Sequence, residues 1–108
     1  LPPGSDEFSL TLKGPNPFRL TMLGQDGKGL LQIAQTTFPY QTLCSWVIIR
    51  IKHNGSQIMG TRVPEIIKVL HNAAERPVTI HLVTCSKLRL MMTQHEEQQM
   101  ADLVQLLC

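Results

Sequence analysis

Apolar and polar positions alternate along residues 8–13, FSLTLK, so that Phe8, Leu10 and Leu12 share one side. A period of two is that of a half-buried strand, and the spacing predicts one here. GPNP at 14–17 breaks the run, which resumes as FRLTML, Phe18 to Leu23, with Phe18, Leu20 and Met22 on one face. The Asp-Gly step in GQDGKG predicts a tight turn into a third strand, LLQIA, Leu30 to Ala34. Residues 35–45, QTTFPYQTLCS, carry no clear period, and Pro39 argues against a central strand there. WVIIRI, Trp46 to Ile51, is β-branched and apolar, as buried strands are. Asn54-Gly55 predicts a second tight turn, with SQIM as a short strand after it.

The period then changes. Val63, Ile66, Ile67 and Leu70 fall at i, i+3, i+4 and i+7, one face of a helix that fades near Ala73. Thr61 is the expected N-cap, and Pro64 sits in the first turn, where a missing N–H costs little. VTIHLV, Val78 to Val83, predicts a strand, and KLRLMM, Lys87 to Met92, predicts another. Thr93 and Glu96 have the T-x-x-E spacing of a capping box, which predicts a final helix from Thr93 to Leu107 with Met100, Leu103, Val104 and Leu107 on its apolar face. Such a face needs a cover, either the domain itself or a second copy of the chain.

With 108 residues the chain is one domain with a single core. Residues 1–7 read as native linker or a cloning remnant of a domain cut from a longer protein. The ten basic residues are scattered and the net charge is +2, so neither nucleic acid nor an anionic membrane is an expected partner. No apolar run is long enough to span a bilayer. Cys44, Cys85 and Cys108 are odd in number and far apart, which fits reduced thiols in a cytoplasmic protein rather than disulfides or a zinc site. The four histidines form no metal-binding pair. No nucleophile elbow, paired carboxylates or phosphate loop is present, so the expectation is a non-enzyme without metal or cofactor.

The order of elements, together with HNGSQIMGTRVPEIIKVLHNAAERPVTIHLV, resembles a PDZ domain over residues 8–84. The resemblance implies a mainly β fold with two helices (α+β), a small partly open barrel or sandwich, with residues 85–108 as a strand-plus-helix extension. It also implies a scaffold or adaptor module that takes a short peptide, with an apolar C-terminus, as an added strand between a strand and a helix. In that alignment PFRL, Pro17 to Leu20, stands where PDZ domains carry the carboxylate-binding GLGF. The peptide would lie along Pro17, Phe18, Arg19, Leu20, Thr21, Met22 and Leu23, facing Val63, Ile67 and Leu70 of the helix. Pro17 supplies no backbone donor. Arg19 is either a solvated loop side chain or a cation that replaces the lost amides. Val63 stands where a histidine selects Ser or Thr, so an apolar ligand side chain is expected there, and Val63→Asp should abolish binding without unfolding the domain. A second resemblance is to PH-like folds such as the third lobe of a FERM domain or a PTB domain, which end in a strand and a C-terminal helix. A degenerate PDZ-like lobe serving structure or dimerisation is the remaining alternative. Placement at the cell cortex would come through partners.

Overall fold

The computed structural model describes residues 5–23, 29–72 and 74–95. The chain runs through β1 (Glu7–Leu12), β2 (Phe18–Leu23), β3 (Leu30–Thr36), a single 3-10 turn (Gln41–Leu43), β4 (Val47–His53), β5 (Ser56–Met59), α1 (Val63–His71), β6 (Val78–Val83) and α2 (Cys85–His95). The fold is mainly β with two helices. Its six strands form one open antiparallel sheet in the order β1-β6-β4-β3-β2, with β5 alongside β4. The turn from β4 to β5 is the Asn-Gly step, where Asn54 and Gly55 take φ of 49° and 78°. Positive φ at both central residues matches the twist of a hairpin.

Neighbouring residues of a strand point to opposite faces. Leu82 and Val83 of β6 are both fully buried, yet they belong to different apolar clusters. The larger cluster gathers Ile48, Ile51, Ile80 and Leu82 against Val63, Ile66 and Leu70 of α1. The smaller sets Leu30, Val47, Ile49 and Val83 against Leu88 of α2, with Met91 packed on it. The sheet is therefore apolar on both faces over part of its area, which is why β4 opens with three apolar residues in succession, Val47 to Ile49.

A bulge in β4 sorts that run. Ile48 pairs with Leu82 and Arg50 with His81, leaving Ile49 as the extra residue. Ile48 and Ile51 thus both reach the larger cluster although three positions apart. The Ile49 carbonyl accepts the Gly60 N–H at 2.7 Å. The contact is close: a Cβ on Gly60 would lie 2.4 Å from the Ile48 carbonyl oxygen and 2.9 Å from Ile49 Cα.

Three expectations are corrected. Lys87–Met92 is helix, not strand: α2 begins at Cys85, the Thr84 hydroxyl accepts the Lys87 N–H at 3.2 Å, and the Thr84 carbonyl accepts the Leu88 N–H at 3.0 Å. Leu88 and Met91 meet the smaller cluster while Leu90 is 64% exposed, the pattern of one helical face rather than of a strand. Thr93 accordingly continues α2 instead of opening a helix; Glu96 and the predicted apolar face from Met100 to Leu107 lie outside the described residues, as does most of the GQDGKG turn. The α1 cap position is Arg62 rather than Thr61, with no side-chain cap; the Arg62 guanidinium instead donates to both Glu65 carboxylate oxygens, at 2.9 and 2.5 Å.

Candidate functional site

β2 ends the sheet. It pairs with β3 on one side, and no described strand lies on the other. Arg19, Thr21 and Met22 are exposed, Pro17, Leu20 and Leu23 are half-buried, and Phe18 is buried. Phe18 is held edge-to-face by Tyr40, with ring centres 5.9 Å apart, so the segment with no legible period positions the first residue of the strand. The backbone of Phe18 is occupied as well. Its N–H donates to the Asn16 side-chain oxygen at 3.1 Å, and its carbonyl accepts from the Asn16 amide at 3.3 Å. One asparagine side chain thus makes the pair of bonds that another strand would make there.

Beside Phe18 opens a cavity of about 320 Å³ lined by Pro15, Asn16, Phe18, Leu70, His71 and Arg76. Arg76 builds it. Its guanidinium donates to the carbonyls of Gly14 (2.8 Å), Val69 (3.1 Å), Leu70 (2.7 Å) and Asn72 (3.2 Å). These bonds satisfy the last carbonyls of α1 and fasten the β1–β2 loop to the helix end. They engage four of the five guanidinium N–H groups. Sequence reasoning missed both Asn16 and Arg76; the only hint was a cation shortly after the helix end. Arg76→Ala is expected to lower stability by about 2 kcal/mol, because it strands several carbonyls at once. Urea unfolding measures this, and Arg76→Lys should recover only part of the loss, since an ammonium cannot span the same fork of acceptors.

The predicted helix wall is placed differently from expectation. Val63 and Leu70 are each 1% exposed and belong to the larger apolar cluster, so they are core residues rather than an open wall. Burial follows from the approach of α1 to the sheet, which takes Val63, Ile66 and Leu70 inward together. Ile67 is half-buried, and Leu70 still forms part of the cavity floor. Arg19 stands exposed and does not line the cavity; the cation there is Arg76.

A second polar cavity, of about 210 Å³, opens on the face of the sheet away from α1 and is lined by Ser9, Arg50, Lys52, Thr79 and His81. Burial, and after it the nearby charge of Arg50, holds the His81 imidazole below its ordinary range; Glu7 pulls the other way and Lys52 adds to the lowering. The native state therefore disfavours the imidazolium. The stability this gives is complete above pH 6.5 and is lost as pH falls from 6.5 through the lower native value, because the unfolded chain takes up the proton first. Urea midpoints measured across that window should fall with pH, and His81→Gln should flatten the fall.

Among the described residues no three or more His, Cys, Asp or Glu side chains gather as metal ligands would, and no helix is long and apolar enough to cross a membrane. Comparison of the chain with protein-family models, curated proteins and solved structures returned no match in any of the three.

Proposed function

We propose that the chain is a non-catalytic, PDZ-like interaction module that binds a short extended peptide as an added strand on the free edge of β2, with the peptide's C-terminus toward the Arg76 cavity. The observation that carries this reading is that β2, whose outer edge no described strand covers beyond Phe18, begins at the cavity, with Phe18 part of both. An antiparallel peptide would run its C-terminal end into the start of β2, where the cavity lies. Main-chain bonds along the edge would supply affinity, and the apolar floor of Phe18 and Leu70 would take the last side chain. With Pro17 lacking an N–H and the Phe18 N–H held by Asn16, the ligand carboxylate would rely on the remaining Arg76 donor and on His71.

The sheet order supports the PDZ-like reading over the PH-like one. The last strand lies between the first and the fourth, and α1 supplies Val63, Ile66 and Leu70 to the main core, a contribution that an inserted helix would not need to make.

The test is a titration of the labelled chain with peptides bearing free or amidated C-termini, followed by NMR. Free, apolar C-termini should perturb Leu20 to Leu23 and the cavity residues, with Kd between about 1 and 100 μM. Ile67→Asp should weaken that binding while the domain stays folded. Absence of any perturbation would leave a structural or dimerising lobe as the account of this fold.

A further inference from the structure

The polar cavity beside α2 is built with a regularity that solvation of a sheet face does not require. Register places Ser9 opposite His81 and Thr11 opposite Thr79, and across the next pairing His81 opposite Arg50 and Thr79 opposite Lys52. Two rows thus cross three strands, each with a hydroxyl on β1 and a cation on β4. The rows are bonded internally: Ser9 Oγ lies 2.9 Å from His81 Nδ1, Arg50 Nη2 lies 3.4 Å from the same nitrogen, and the Thr11 and Thr79 hydroxyls are 3.1 Å apart. Arg50 and Lys52 are two positions apart on one strand, hence about 7 Å from each other, on the same face. Among the described residues neither makes an ion pair with a carboxylate. Glu7 on β1 is shared by Lys87 at 3.7 Å and His81 at 4.0 Å.

Two like charges held side by side over a concave floor of hydroxyls are relieved by an anion. The space is below the size of a drug-like ligand site and suits one tetrahedral oxyanion. We propose that this cavity binds a phosphate monoester group, held by Arg50 and Lys52 with Thr79 as a hydroxyl donor, and with Ser9 as a second once the ring is protonated and no longer takes the Ser9 hydrogen. His81 would complete the site. A guanidinium can only donate, so Nδ1 of the neutral ring accepts and Nε2 carries the proton, on the side of Glu7. A bound dianion would offset Arg50 and Lys52, the two cations that oppose protonation of the ring, and His81 would take up a proton on binding. The charged groups around it are Glu7 on β1, Arg50 and Lys52 on β4, and, through Glu7, Lys87 on α2.

The experiment is an NMR titration of the histidine side chains with inorganic phosphate at fixed ionic strength, with chloride as the control. His81 signals should shift saturably with phosphate and not with chloride, and the ring should titrate at higher pH when phosphate is bound. Lys52→Gln, at an exposed position, should weaken binding by at least about 10-fold. Arg50→Gln with Lys52→Gln should remove saturation, and Lys68→Gln on α1 should change nothing. A soluble inositol phosphate, and phosphatidylcholine vesicles with and without phosphoinositide, identify the source of the group. Sedimentation only with phosphoinositide vesicles marks a lipid headgroup, and equal affinity for the soluble form marks a free monoester. Shifts that grow linearly, that chloride reproduces, or that survive the double substitution overturn the proposal.

Discussion

Val63→Asp is expected to unfold the domain rather than only silence a binding face. Val63 is 1% exposed and surrounded by the apolar side chains of the larger cluster. An aspartate there must either ionise without a partner or carry its proton at neutral pH, and both states cost free energy. The loss is about 4 kcal/mol, comparable with the whole stability of a marginal domain. Circular dichroism at neutral pH should show an unfolded or barely folded chain, partly rescued at acid pH where the carboxyl is neutral. Ile67→Asp provides the contrast: its side chain is half-buried and packs on the edge of the larger cluster, so charge there should remove the apolar wall at a much smaller stability cost than at Val63, with the domain still folded. A folded Val63→Asp variant would show that the first turn of α1 can move off the sheet.

Gly60→Ala should cost about 3 kcal/mol, at the upper end of overpacking penalties. The atoms its methyl would meet are backbone: the Ile48 carbonyl oxygen at 2.4 Å, with Ile49 Cα and carbonyl oxygen both at 2.9 Å. Backbone cannot swing aside as a side chain can, and this stretch is the bulge that sorts Ile48 and Ile51 into the larger cluster. Relief would have to break the bond from the Gly60 N–H to the Ile49 carbonyl. The reading is settled by urea unfolding of Gly60→Ala beside Gly14→Ala, whose added methyl meets nothing within 4 Å. A midpoint unchanged at position 60 would mean that the β5–α1 junction is free to shift.

Much of the fold was legible because its periods are clean. Alternation marked β1, β2 and β6 to within a residue at either end, and the i, i+3, i+4, i+7 spacing marked α1. The Asn54-Gly55 turn followed from the positive φ that hairpins demand. α2 was misread because Leu88, Leu90 and Met92 satisfy a period of two, while Leu88 and Met91 satisfy the helical one over the same short window. Only the cap at Thr84 and a second apolar face on the sheet decide between them, and that face depends on how β4 and β6 pair. At the candidate site the residues of β2 and α1 were nameable from sequence, but their exposure was not. Whether Val63 lines a groove or fills a core depends on the tilt of α1, which no local pattern encodes. Asn16 and Arg76 act through backbone carbonyls and amides, groups that every residue has and that leave no trace in a pattern of side chains.

The division of the apolar interior between two faces of one sheet has a consequence for how the molecule comes apart. The seam on the α2 side rests on a handful of side chains, Leu30, Val47, Ile49, Val83 and Leu88, while the opposite side holds most of the buried surface. Among the described residues, undocking of α2 uncovers only this smaller cluster and breaks no strand pairing, so it is expected as a local opening below global unfolding. Amide protons of α2 are then expected to exchange before those of the central strands, and because Leu23 at the end of β2 packs on the smaller cluster, such an opening would be felt at that end of the β2 edge as well.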